Sequence, residues 1–268
     1  MQGGVPILWE ILSSMCTIAF LIDVVARAPL VIAANRDELY ARPTRSPEIL
    51  VDSPRIAGGV DELSGGTWLA VRADGRFVAV TNQRALAPVV PAARSRGLIV
   101  RDIALSDDPD SAVARLDPTQ YASMNLAWGS TAGVSLAYAR REAGTLEIER
   151  LGRGIHVLCN DRLGAPGFPR CERLQRGLES LADGARWPDV APAIQRLLAD
   201  TAMSEPTMHT HLAPEIERAL TAVCIHTPAY GTRSSSIVAL GPGEVLSYLH
   251  ADGPPDAVPY VDRTGLLR

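Results

Sequence analysis

Apolar runs in this chain arrive in a set order. Short strand-like runs come first, helix-like runs hold the middle, and strand-like runs return at the end. Residues 17–25 and 30–34 are apolar and separated by Arg27-Ala28-Pro29, a turn-like triplet. Residues 67–81 carry two apolar stretches around Asp74-Gly75, a strong hairpin signal. A second hairpin is expected over 125–140, turning between Ser130 and Gly133, with strands following at 145–151 and 155–158. Helical spacing of Leu, Ile and Ala marks 95–105, 169–181, 190–198 and 214–223. Strands are expected again at 222–226, 235–240 and 245–250, and Gly58-Gly59 and Gly65-Gly66 read as turns. Strands and helices do not alternate one by one, which argues against a doubly wound dinucleotide-binding sheet. Antiparallel sheets with helices layered outside, an α+β arrangement, satisfy the order.

Composition narrows the function classes. Net charge is -4, so there is no basic footprint for nucleic acid. The apolar runs are broken by charge or Pro well short of the ~20 residues a spanning helix needs, so no membrane span is expected. All 26 basic residues are Arg, which excludes a Lys Schiff base and a phosphate-loop Lys. The four cysteines, Cys16, Cys159, Cys171 and Cys224, have no regular spacing. They predict neither a disulfide scaffold nor a zinc site, and hence a reducing, cytoplasmic setting. His209-Thr210-His211 offers two metal ligands with no third close in sequence, too few to predict a metal centre.

Several residues could carry chemistry. Cys16 follows Met15. A chain that began at Cys16 would join a thiol and an α-amine, with reference pKa values of about 8.5 and 7.7–8.0, in one residue. That is a nucleophile and its base together. Taken alone, a cysteine heading an apolar strand is more often core packing. Asn35-Arg36-Asp37-Glu38 closes the second run with four polar groups, either a functional cluster or a surface turn. Asn82 follows a strand, and Asn160 repeats that theme after residues 155–159; a fixed Asn amide suits an oxyanion as well as a turn. Arg233 lies among small residues, where a guanidinium can meet a carboxylate or phosphate or simply face solvent. Trp68 and Trp128, on expected strands, read as core.

Together these segments resemble one family. Cys16-Thr17-Ile18, Ala33-Ala34-Asn35-Arg36-Asp37-Glu38, Ala41-Arg42-Pro43-Thr44, Gly65-Gly66-Thr67-Trp68-Leu69, Val80-Thr81-Asn82, Ser95-Arg96-Gly97, Asn125-Leu126 and Tyr230-Gly231-Thr232-Arg233-Ser234-Ser235 are similar, in order, to the NRDE family, that of transport and Golgi organisation protein 2. The resemblance implies the N-terminal nucleophile hydrolase fold, a four-layer αββα sandwich of two antiparallel sheets. Among such enzymes the motif order is similar to the bile-salt hydrolase and penicillin V acylase type. It implies catalytic roles for Cys16, Arg36, Asp37, Asn82, Asn160 and Arg233. Cys16 would attack an amide or (thio)ester carbonyl with its own amine as base. Asp37 would orient that amine, Asn82 and Asn160 would hold the oxyanion, and Arg36 or Arg233 would favour the thiolate.

The chain departs from that pattern twice. Residues 1–15 precede the thiol and would block its amine. The expectation is a misassigned start or a removed segment, with a single domain over 16–268. Cys159 stands before Asn160 where the family pattern carries Ser, so a second thiol is expected near the site. The resemblance implies a small-molecule substrate or ligand and no cofactor for hydrolysis. Its other implication is non-enzymatic haem or acyl-lipid binding, with Cys16 or a His as axial ligand to haem.

Overall fold

The structure, a computed structural model, describes residues 16–83, 92–181, 185–207 and 212–268. The extension 1–15 and His209-Thr210-His211 lie outside the described residues. The first half is strand: β1 (Thr17–Ile22), β2 (Val25–Ala26), β3 (Leu30–Leu39), β4 (Thr44–Asp52), β5 (Arg55–Asp61), β6 (Leu69–Arg72) and β7 (Phe77–Asn82). Helices α1 (Arg96–Leu105) and α2 (Pro109–Ala114) precede β8 (Met124–Ser130), β9 (Gly133–Arg140), β10 (Thr145–Leu151) and β11 (Gly154–Leu158). Then come α3 (Pro169–Glu179), β12 (Ala185–Arg186), α4 (Ala191–Leu198), α5 (Pro214–Ala219), β13 (Tyr230–Gly241), β14 (Glu244–Ala251) and β15 (Val261–Asp262). Pro in the first turn of α2 to α5 fits each helix start, where its missing N–H costs nothing.

Two sheets stack, with strand orders β11-β1-β3-β13-β14-β15 and β10-β9-β8-β7-β6-β5-β4, and every pairing within them is antiparallel. Ile18, Phe20, Leu30, Ile32 and Val238 of the first sheet face Leu69, Val71, Phe77, Ala127 and Leu136 of the second. The opposite face of the first sheet, with Ala19, Leu21, Val31, Ala33 and Ile237, packs on Leu174 and Leu178 of α3 and Ile194 and Leu198 of α4. On the outer face of the second sheet, Ala70, Val78, Leu126 and Trp128 meet Ile99, Val100 and Ile103 of α1. The order helix, sheet, sheet, helix is the expected αββα sandwich. Because β1 is covered on both faces, all of its residues are buried, which is why its sequence is a continuous apolar run without alternation. Burying each such Leu, Ile or Phe contributes roughly 1.5–3 kcal/mol.

Several expectations need correction. Asn35-Arg36-Asp37-Glu38 does not close a strand: β3 runs through it to Leu39, paired on one side with β1 and on the other with β13. Gly58-Gly59 is likewise inside a strand, β5. A Cβ at Gly59 would lie 2.2 Å from the Trp68 ring, so the glycine makes room for that indole. Residues 222–226 are not a strand; only His226 makes an isolated bridge, to Gly231. The β4–β5 hairpin has weak sequence signal because β4 is an edge strand carrying Pro47 and charged residues, with a bulge between Arg45 and Glu48. Cys159 and Cys171, expected as thiols, form a disulfide with Cα atoms 6.4 Å apart. The chain folds back after β11 so that the first turn of α3 meets the strand end, and irregular cysteine spacing carries no sign of that. The premise for a reducing compartment therefore falls. Among the described residues, no helix is long and apolar enough to cross a membrane.

Candidate active site

Strand alternation sets the site. Along β3 the even-numbered side chains Leu30 and Ile32 point between the sheets and the odd-numbered Val31 and Ala33 point to the helices. Arg36 and Glu38 continue the inner face, while Asn35 and Asp37 continue the outer one. Asn35 confirms this: its Nδ2 donates to the carbonyls of Leu198, at the end of α4, and Val223, each at 2.9 Å. Thr17 pairs with Asn35, so Cys16, one residue before β1, comes level with Arg36.

Cys16 is half-buried and unbridged. Its thiol is pushed up to about 11, first by burial and then by the Asp37 carboxylate, while Arg36 and a backbone hydrogen bond from Asp37 pull it down. Arg36 is buried, stacks over Trp68 with its guanidinium 4.3 Å from the ring centre, and lies 3.6 Å from Glu38. Its Nη1 donates to the Thr44 hydroxyl. Trp68, read as core, is half-buried and forms a wall of a cavity of about 20 Å³ beside Cys16, Arg36, Thr81 and Ser234. That volume suits roughly one water. Arg96, at the start of α1, adds positive charge toward Cys16 and Glu38; burial lowers it to about 10. Gly66 and Gly97 bring it there: a Cβ on Gly66 would lie 2.4 Å from the Gly97 carbonyl carbon.

Asp37 is fully buried on the other face. Its Oδ1 accepts a 2.6 Å hydrogen bond from the Thr232 hydroxyl, and its Oδ2 is buried without a hydrogen-bond partner. Burial raises its carboxyl to about 7, against the pull of Arg170, the Thr232 hydroxyl and Arg36. Arg170 also donates to Asn160 Oδ1 at 2.6 Å, and Asn160 Nδ2 donates to the Asn82 carbonyl at 3.0 Å. The loop carrying Asn160 is gripped from the second sheet. Thr81 Oγ1 donates to the Cys159 carbonyl, and Asn125 Nδ2 to the carbonyls of Cys159 and Asp161.

Cys16, Arg36 and Asp37 are thus brought together, and Asn82 and Asn160 are joined to each other, with Arg170 between Asn160 and Asp37. Arg233 lies beside this group along β13 without bonding to it. It occupies a bulge of β13 between Thr232, opposite Asp37, and Ser234, opposite Arg36. Its Nε is buried without a partner, and among the described residues no hydrogen bond or ion pair joins it to Cys16, Arg36 or Asp37. Cys159 supplies no second free thiol, because Cys171 holds it. Sequence reading missed Arg170. The signal was present: Arg170, Leu174 and Leu178 recur at the four-residue spacing of the buried stripe of α3, so a charge sits where the helix turns inward.

This geometry can be set beside known proteins. The family profile described as Transport and Golgi organisation 2 matches residues 15–249. The chain belongs to that family. The Transport and Golgi organization protein 2 homolog of Bos taurus is 30% identical over 227 residues, covering 78% of this chain and 81% of that protein. The homolog of Homo sapiens is 29% identical over 228 residues, with the same coverage of 78% and 81%. Among solved structures, the Caenorhabditis elegans N-acylethanolamine-hydrolyzing acid amidase ortholog superposes with a TM-score of 0.54 at 11% identity, covering 84% of this chain and 92% of its own. A mutant conjugated bile acid hydrolase from Clostridium perfringens gives 0.53 at 9% identity, covering 94% and 93%. At such identities the likeness is one of fold, and the fold is that of the N-terminal nucleophile hydrolases.

Proposed function

We propose that the chain, once it begins at Cys16, is a cysteine hydrolase acting on a non-peptide amide or (thio)ester bond of a small molecule. The observation that carries this reading is the buried, unpartnered Oδ2 of Asp37 beside Cys16. A buried carboxylate oxygen without a donor is costly. An α-amine at Cys16 would give it the cation it lacks, and Asp37 would in turn hold that amine toward the thiol. The family profile opens at residue 15, one position before the thiol, which is consistent with a chain that starts there.

The thiol at about 11 needs a base to ionise at neutral pH. The neutral amine takes its proton, and the thiolate sulfur attacks the carbonyl carbon. Arg36 favours the anionic sulfur, and the amides of Asn82 and Asn160 stabilise the oxyanion once substrate draws their donors to it. The ammonium then protonates the leaving amine, alcohol or thiol, giving an S-acyl Cys16. Water, deprotonated by the same amine, attacks that thioester and releases the acid and the thiol.

Intact-mass measurement tests the reading. A form beginning at Cys16 is incubated with a panel of acyl amides and thioesters, beside its Cys16→Ala variant and the chain that retains residues 1–15. Acyl adducts and turnover in the Cys16 form alone are the expected result. Equal turnover by the Cys16→Ala variant would remove Cys16 as nucleophile. A haem Soret shift lost in Cys16→Ala, with no turnover, would make the thiol a ligand instead.

A further inference from the structure

Away from the Cys16 site, three side chains not used by the proposed hydrolysis converge at the end of the first sheet. Cys224 and His226 flank Ile225 in the segment before β13, and Asp256 reaches them from the turn after β14. Cys224 is buried, whereas the His226 and Asp256 side chains are 43% and 30% exposed. Cys224 Sγ lies 3.2 Å from Asp256 Oδ1 and 3.7 Å from His226 Nε2, and that same Nε2 lies 3.1 Å from Asp256 Oδ1.

A Cys-His-Asp set invites comparison with a nucleophile triad, but the geometry is wrong for one. A relay needs the acid on one ring nitrogen and the thiol on the other. Here Nε2 faces both. Instead, three potential donor atoms, one S, one N and one O, lie within 4.8 Å of one another. The triangle they form has the dimensions of a metal-ligand face. For tetrahedral zinc with about 2.3 Å to sulfur and about 2.0–2.1 Å to nitrogen and oxygen, the edges are about 3.5 Å for S···N, 3.5 Å for S···O and 3.3 Å for N···O. The observed edges of 3.7, 3.2 and 3.1 Å lie close to each.

We propose that Cys224, His226 and Asp256 bind a divalent cation of the zinc type. One thiolate, one imidazole and one carboxylate form a borderline ligand set suited to Zn²⁺ and poorly suited to Mg²⁺ or Ca²⁺. The exposed edge formed by His226 and Asp256 leaves the fourth position to water. Loading exchanges the Cys224 thiol proton for the metal, and the proton leaves to solvent. The site is also tied to the fold. The Ile225 backbone N–H donates to Thr232 Oγ1 at 2.9 Å, and the Thr232 hydroxyl donates to Asp37. A cation that fixes Cys224 and His226 therefore fixes the hydroxyl that orients Asp37.

Cobalt titration of chelator-treated protein tests this by absorbance, with zinc competition as the second readout. The full chain should take up a single equivalent of Co²⁺ with a thiolate-to-cobalt charge-transfer band and intense four-coordinate visible absorption, both displaced by Zn²⁺. Cys224→Ser should lose the charge-transfer band. His226→Ala and Asp256→Asn, changes at partly exposed positions, should fold and bind at least ~10-fold more weakly. Cys16→Ser should keep the band, which separates this site from the hydrolase reading. No uptake by the wild-type chain, a band that survives Cys224→Ser, or a band lost in Cys16→Ser would each overturn the proposal.

Discussion

Asp37 gives the most direct test of why residues before Cys16 matter. With those residues attached, burial holds its carboxyl at about 7, against an ordinary value of 3.8. A carboxyl raised on folding favours the protonated native state. Its contribution is fully present below pH 4 and is lost as pH rises through 4 to 7. The full shift is worth on the order of 4 kcal/mol, at about 1.36 kcal/mol per pH unit. Most of that loss falls between pH 5 and pH 8, a step of roughly 2–3 kcal/mol. Asp37→Asn keeps an acceptor for Thr232 and cannot ionise. Replacing Oδ2 by an NH₂ shifts stability by an offset that does not vary with pH. The stability of Asp37→Asn relative to wild type should therefore rise by about 2–3 kcal/mol between pH 5 and pH 8, measured by urea unfolding of the chain that retains residues 1–15. In a form beginning at Cys16, the ammonium lies beside the carboxylate and draws its titration down, so the pH-dependent gap should shrink. A gap independent of pH in the longer form would refute the burial argument. Equal gaps in both forms would refute the pairing of Asp37 with the amine.

Two further outcomes follow from packing and burial. Gly59→Ala places a methyl 2.2 Å from the Trp68 ring and should cost about 1–3 kcal/mol in thermal or urea unfolding, with slower alkylation of Cys16 if the indole is driven toward the cavity. His250 is buried, bonded through Nδ1 to Ser236, and lowered to about 4 mainly by burial, with Arg263 adding to that and Asp252 opposing it. Because its folded value lies below the unfolded 6.5, stability is lost as pH falls from about 6.5 to 4, by about 3 kcal/mol, and His250→Gln should flatten that acid limb in urea titrations between pH 7 and 4.

Much of the architecture is legible in sequence because local signals agreed with it. Asp74-Gly75 turns β6 into β7 with Gly75 at φ 78°, and the apolar spacing of α1 and α4 is read correctly. The failures share a cause: position relative to other layers. Asn35-Arg36-Asp37-Glu38 is polar enough to suggest a turn, yet β13 pairs with it along its length, β1 reaches Asn35, and the neighbouring layers bury its side chains. β4 hides its strand character behind Pro47 because one of its edges is unpaired. At the site, Cys16, Arg36 and Asp37 stand out in sequence only through the motif order shared with the family, since each alone reads as ordinary packing or a surface turn. Arg170 could not be linked to Asn160, because that contact depends on how the chain doubles back between β11 and α3. The same reversal pairs Cys159 with Cys171.

The polar tetrapeptide inside β3 also limits how the site can change. Inserting or deleting one residue upstream in that strand would turn Arg36 toward the helices and Asp37 toward Trp68, exchanging their roles and exposing the hydrocarbon of both layers to the wrong partners. Replacing a side chain leaves this alternation intact, whereas a change of length leaves both faces in place only if it falls in the loops at the strand's two ends.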